Sequence, residues 1–176
     1  MNYKDYLDTK KTEFESGILS KKIVSIKNFN SDNLNKIVEE CRKSGFDYIV
    51  CQIGIGKAEL IKAMVSNGFR IFGLPVILKA KLNKKPMEES RIRKYKKADL
   101  NELKKISKGA FLNSHWYNNK HLKKGNVDNL YIKWLENCCN GGAEIVLVYE
   151  ENDKALGYVA CTKKKDVCRY AARLIF

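Results

Sequence analysis

Strand-like and helix-like runs alternate along the first 82 residues, and that order constrains the fold more than any other feature. Lys22-Ile23-Val24-Ser25-Ile26-Lys27 reads as a strand of period two. Leu34, Ile37, Val38 and Cys41 then share one helical stripe, with Ser31 placed as the N-cap and Gly45 as the stop. Phe46 to Ile53 reads as a buried strand. Leu60, Ile61, Met64 and Val65 give the next helical face, closed by Gly68. Phe69 to Leu82 reads as a long strand that tolerates Pro75 at an edge or bulge. Strand–helix–strand–helix–strand predicts a small α/β unit over 1–82.

Residues 83–90 are polar and contain Pro86, which places a linker there. A second domain is expected over 91–176. Arg91 to Tyr95 reads as a short strand, and Asp99 with Glu102 as a variant capping box. Leu100, Leu103, Ile106 and Ala110 form the buried face of that helix. Residues 111–126 are irregular and aromatic. Val127, Leu130, Tyr131, Trp134 and Cys138 build another helix, ended by Asn140-Gly141-Gly142. Glu144–Tyr149 and Ala155–Cys161 are the arms of a hairpin turned at Glu151-Asn152-Asp153-Lys154. Arg169 to Phe176 reads as one more strand.

Composition narrows the class. The 44% apolar fraction supports a packed core and excludes wholesale disorder. No apolar run approaches the roughly 18 residues of a membrane span. Met1-Asn2-Tyr3-Lys4-Asp5 lacks the apolar stretch of a signal peptide, so a cytoplasmic protein without membrane association is expected. The net charge of +14 is carried almost wholly by Lys, with only six Arg. Arg is the preferred reader of base edges, so nucleic acid is not the expected partner. The densest basic stretch, Lys79 to Lys97, has two readings: a solvated linker, or attraction of an anionic small molecule such as a nucleotide or coenzyme. Six cysteines without a Cys-x-x-Cys pair, and two histidines, argue against a zinc site, and no metal is expected.

The candidate chemistry is sparse. Gly54-Ile55-Gly56-Lys57 stands between a strand and a helix, where a phosphate loop would be. Glu59 occupies the third glycine of the dinucleotide pattern, and Cys51 and Ala58 break the Walker pattern, so a plain turn is expected. His115 is the acid–base candidate by residue type, against the reading of a surface-loop histidine. Cys138-Cys139 reads as helix packing and no Gly-x-Ser-x-Gly elbow occurs. The informative stretch is the aromatic loop and the helix that follows it. Ser114, His115, Trp116, Tyr117 and Tyr131 put rings beside hydrogen-bonding groups, the chemistry that stacks on a sugar or base.

These residues also carry a resemblance. Arg91–Tyr95, the helix start Lys97-Ala98-Asp99-Leu100 and the hairpin end Lys154-Ala155-Leu156-Gly157-Tyr158-Val159 are similar to the GNAT acyltransferase superfamily. Ser114-His115-Trp116, then Leu130-Tyr131-Ile132-Lys133-Trp134-Leu135-Glu136-Asn137 and Gly141, resemble its dTDP-fucosamine acetyltransferase-like, sugar-nucleotide N-acetyltransferase branch. His115 stands where those enzymes carry Arg. The first half resembles their N-terminal lobe through Phe46-Asp47-Tyr48-Ile49-Val50-Cys51 and Asn67-Gly68-Phe69-Arg70.

The resemblance implies a small N-terminal α/β lobe followed by the first half of a GNAT fold. It implies acetyl transfer from acetyl-CoA, as co-substrate, to the amine of a nucleotide-linked amino sugar, with no metal. The amine attacks the thioester directly, which needs proximity more than covalent catalysis. Ser114, His115, Trp116, Tyr117 and Tyr131 are then expected to bind the acceptor. Arg173, Leu174, Ile175 and Phe176 are expected along the pantetheine arm of the coenzyme. The Gly-rich pyrophosphate loop and the late tyrosine that protonates the leaving thiolate follow the fourth strand in that family. The chain ends within that strand, so it is expected to be truncated or frameshifted and inactive as it stands, with no catalytic residue assigned. An open strand edge there is expected to favour self-association. Two alternatives remain: a non-catalytic sugar-nucleotide-binding fragment, and a basic nucleic-acid-associated protein.

Overall fold

A computed structural model of the chain describes residues 3–74 and 90–162 in full, and the backbone of 163–164 and 167–173. The architecture is mixed α/β, in two units, Met1–Phe72 and Gly73–Phe176. The expected linker at 83–90 lies, Ser90 apart, outside the described residues. No described helix is long and apolar enough to cross a membrane.

In the first unit, the central strand is β2 (Ile23–Ile26), with all four residues buried. β1 (Leu7–Asp8) pairs with it antiparallel and β3 (Tyr48–Val50) parallel, in the order β1-β2-β3. Between β2 and β3 runs α2 (Ser31–Lys43), the helix its apolar stripe predicts. Its cap is Asn30, not Ser31. The Asn30 side chain accepts the Asn33 N–H at 3.2 Å, and the Asn33 side chain accepts the Asn30 N–H at 2.9 Å. Reciprocal bonding satisfies two orphan donors at once, which a lone serine does not. At the other end Gly45, at φ +73°, lets the Phe46 N–H reach the Cys41 carbonyl at 3.2 Å. Leu34, Ile37, Val38 and Cys41 pack with Val24, Ile26 and Met64 as the core of this unit. Each large side chain so buried contributes about 2 kcal/mol.

Three expectations for this unit need correction. The strand expected over Phe46–Ile53 is confined to Tyr48–Val50 and is half-buried, at the edge of the sheet among the described residues. Val65 is exposed rather than inward, since it sits about 100° around α3 (Ala58–Ser66) from the buried Met64. Phe69–Leu74 forms no strand, and 75–82 lie outside the described residues. The Phe69 N–H bonds the Met64 carbonyl at 3.1 Å, so Phe69 closes α3 instead of opening a strand. β1 and α1 (Glu13–Leu19) were not predicted at all: the segment Glu13-Phe14-Glu15-Ser16-Gly17-Ile18-Leu19 shows no continuous apolar stripe.

The second unit is a four-stranded antiparallel sheet in the order β4-β5-β6-β7. β4 is Ile92–Lys94, β5 Ile145–Glu151, β6 Lys154–Lys164 and β7 Val167–Arg173. α4 (Leu100–Ser107) and α5 (Lys124–Asn137) lie in sequence between β4 and β5. Val146 and Val148 of β5 stand opposite Ala160 and Tyr158 of β6, and all four are buried. Leu103 of α4 and Leu135 of α5, with Cys138, complete that core, and Trp134 packs against it. Asp99 does not cap α4 with its side chain. It ends a short 3₁₀ turn over Lys97–Asp99, where its carboxylate takes the Lys96 N–H at 2.7 Å and both ends of the Arg93 guanidinium, at 2.8 and 2.9 Å. A bidentate guanidinium bond is stronger than a cap bond and decides where the carboxylate points. The hairpin turns at Asn152 and Asp153, both at positive φ, as a two-residue primed turn requires. A bulge after Tyr149 leaves Leu156 unpaired and exposed.

Candidate functional site

The aromatic segment between α4 and α5 is folded into consecutive turns rather than left open. The Ser114 N–H bonds the Phe111 carbonyl at 2.8 Å, and the Asn118 N–H bonds the Ser114 carbonyl at 3.0 Å. Ser114 Oγ accepts the Tyr117 N–H at 3.2 Å. Asn119 is buried, and its side-chain carbonyl accepts the His121 N–H at 3.0 Å. Small polar side chains that bond nearby backbone are what let a loop keep its polar groups satisfied while burying rings.

The segment places the candidate residues in two groups. Trp116 and Tyr117 are buried within the turns, at 8% and 6% exposure. His115 and Leu112 are exposed on their outer side, and Ser114 is half-buried. The His115 ring tilts against Trp116 with centroids 4.6 Å apart. The part of the imidazole covered by its surroundings loses water, which shifts its pKa below the ordinary histidine value and favours the neutral ring. Tyr131, one face of α5, stacks on Phe111 with centroids 4.0 Å apart and planes 10° from parallel. Of the residues expected at the coenzyme, Arg173 closes β7 opposite Tyr158, and Leu174, Ile175 and Phe176 lie outside the described residues.

Three residues that sequence reasoning passed over hold the segment. Asp128 Oδ1 accepts the Gly109 N–H at 3.1 Å and a short hydrogen bond from the Tyr117 hydroxyl. Lys124 donates to the Tyr117 carbonyl and lies over its ring, 4.9 Å from the centroid. Asn119 is the third. The available signal was Lys124-Gly125-Asn126-Val127-Asp128, two charges one helical turn apart directly after the aromatic run. Burial, with the Asp128 bond second, pushes the Tyr117 phenol up to about 12, so it stays a donor.

The electrostatics of the segment are one-sided. From Leu103 to Val127 there are six lysines and no Asp or Glu. Lys104 pairs with Glu136 and Lys105 with Glu102. Lys108, Lys120 and Lys123 are exposed and have no acidic partner among the described residues. Such a surface draws anions. The thiols offer no nucleophile here: burial pushes Cys138 up to about 11 and raises Cys139 as well. Among the described residues no group of three or more His, Cys, Asp or Glu is placed to hold a metal. A recess of about 630 Å³ lies in the first unit, lined in part by Glu13, Ser16, Lys21 and Asp47. Its Lys21 and Asp47 bind each other at 3.3 Å.

No protein-family model matches the chain. The chain is similar to the spore coat polysaccharide biosynthesis protein SpsD of Bacillus subtilis, with 20% identity over 165 residues. The match covers 88% of this chain and 57% of that protein, so the chain spans little more than half the length of its relative.

Proposed function

We propose that the chain is the acceptor-binding part of a sugar-modifying enzyme of polysaccharide biosynthesis, an N-acetyltransferase of the GNAT type. Acetyl would pass from acetyl-CoA to the amine of a nucleotide-linked amino sugar. The observation that carries this reading is the similarity to a polysaccharide biosynthesis protein, which runs through both units of the chain. The element order of the second unit supports it: one strand, two helices and three antiparallel strands are what the family resemblance calls for ahead of the pyrophosphate loop. The acid-free, ring-rich segment supplies the matching recognition chemistry. Exposed lysines suit a diphosphate, and the Phe111–Tyr131 stack and the His115 edge suit a sugar or base.

In this reading the reaction is a direct displacement. The amine lone pair attacks the thioester carbonyl, the C–S bond breaks, and the proton lost by the amine balances the one gained by the thiolate. The segment contributes orientation and a dry surface, and orientation alone removes a large share of the barrier of a two-substrate reaction. His115, in its neutral form, is a hydrogen-bond acceptor for the incoming amine. Titration calorimetry with a dTDP-linked amino sugar tests the assignment. His115→Ala is expected to weaken acceptor binding about tenfold, ~1.4 kcal/mol, and to leave any acetyl-CoA binding unchanged. Weakened coenzyme binding with an unchanged acceptor would overturn it.

A further inference from the structure

We infer that Asp128 is a positioning residue: it clasps the aromatic segment onto α5 by holding two of its points, Gly109 and Tyr117, on one carboxylate oxygen. The inference rests on the reading of the segment as the acceptor surface, and it starts from a connection problem. α4 ends at Ser107 and α5 begins at Lys124, and the turns between them are tied to α5 by side-chain bonds. A loop of this length without anchors would lose order at every turn.

The anchors converge on the first turns of α5. Gly109 stands at φ +81°, a conformation in which its N–H turns toward the helix instead of continuing α4. That N–H meets Asp128 Oδ1 at 3.1 Å. The same oxygen takes the Tyr117 hydroxyl, and Lys124, one turn earlier on α5, takes the Tyr117 carbonyl. Tyr117 is therefore gripped at its hydroxyl, its ring face and its backbone by a single helix. What lies between the two clasped points is Ala110 to Trp116, the stretch that carries Phe111, Ser114 and His115. Both bonds fall on the same oxygen, Asp128 Oδ1. Two hydrogen bonds converging on one carboxylate oxygen favour a single loop shape over the alternatives.

The clasp differs from a merely stabilising contact in what it controls. Losing it frees the segment while the sheet and the Leu103–Leu135 core of the unit keep their own contacts. Asp128→Ala removes both bonds, and Asp128→Asn keeps an oxygen in place to accept them. Three readouts follow on the full chain: exchange of the Gly109 amide, the titration of the Tyr117 phenol by ¹³C-tyrosine NMR, and the dissociation constant for a dTDP-linked amino sugar. In Asp128→Ala the Gly109 amide is expected to exchange at least about tenfold faster, the phenol pKa to fall from about 12, and the dissociation constant to rise about tenfold. Asp128→Asn is expected to restore a slow Gly109 amide and most of the affinity. An unchanged Gly109 amide in a folded Asp128→Ala protein overturns the clasp. Should Asp128→Ala fail to fold, Asp128→Asn and Tyr117→Phe decide: a fast Gly109 amide in Asp128→Asn, or an unweakened sugar nucleotide in Tyr117→Phe, also overturns it. A wild-type chain that binds no sugar nucleotide while the Gly109 amide still depends on Asp128 overturns the acceptor reading and leaves the clasp standing.

Discussion

Two buried or half-buried polar arrangements fix side chains in the second unit. Ser107 and Tyr158 share a hydrogen bond of 2.7 Å, both about 1% exposed, and so fix the end of α4 on β6. Tyr158→Phe leaves the Ser107 hydroxyl buried without its partner and is expected to cost about 1–3 kcal/mol in urea unfolding. Adding Ser107→Ala removes the orphan, so the double variant is expected to be less destabilised than the sum of the two single ones. The second arrangement is Arg93 between Asp99 and Glu150. The Arg93 guanidinium, bonded to both, holds their carboxyls below the usual carboxylate range, with the Lys96 N–H helping at Asp99. A depressed folded-state pKa adds stability above the unfolded value, about pH 4, and that stability is lost as pH falls through the folded value. Arg93→Met is therefore expected to be less stable than wild type at pH 7, with the gap narrowing below about pH 4. A gap that stays constant from neutral to acid pH would contradict this account.

Among the elements, the end of α5 is tightly specified by its two glycines. A Cβ built on Gly142 meets the Asn137 carbonyl oxygen at 2.7 Å, and Gly141 stands at φ +100°. Gly142→Ala is expected to destabilise the unit by about 1–3 kcal/mol. Gly125, in the first turn of the same helix, has nothing within 4 Å of its built Cβ, so Gly125→Ala is expected to stabilise by about 0.5–1 kcal/mol. Thermal unfolding of the two variants should move in opposite directions. The same contrast explains which elements the sequence announces. The stripes of α2 and α5 and the hairpin turn at Asn152-Asp153 are legible because their signals are local, a period or a turn residue. α1 is not, because its burial comes from packing Leu19 and Thr12 onto its unit rather than from its own pattern. The Ser31 expectation failed by one residue because Asn30 and Asn33 cap each other, and only geometry reveals a reciprocal bond. In the candidate site the rings themselves were legible. That Trp116 and Tyr117 turn inward was not, and Tyr117 is held there by Asp128 and Lys124 of a later helix.

For the whole molecule, the net charge of +14 matters by where it is left unpaired. Much of it is answered locally, as at Lys21–Asp47, Lys43–Glu40 and Lys104–Glu136. The stretch from Leu103 to Val127 has six lysines and no carboxylate of its own, and Lys108, Lys120 and Lys123 have no acidic partner among the described residues. In the proposed function this surface receives the nucleotide-linked amino sugar, which can be read without any turnover. Saturation-transfer difference NMR on the 176-residue chain, irradiating the aromatic protons, measures it directly. The account predicts transfer to the sugar and base protons of a dTDP-linked amino sugar, reduced in His115→Ala and in Tyr131→Ala. No transfer in the wild type, or transfer that both substitutions leave unchanged, would contradict it.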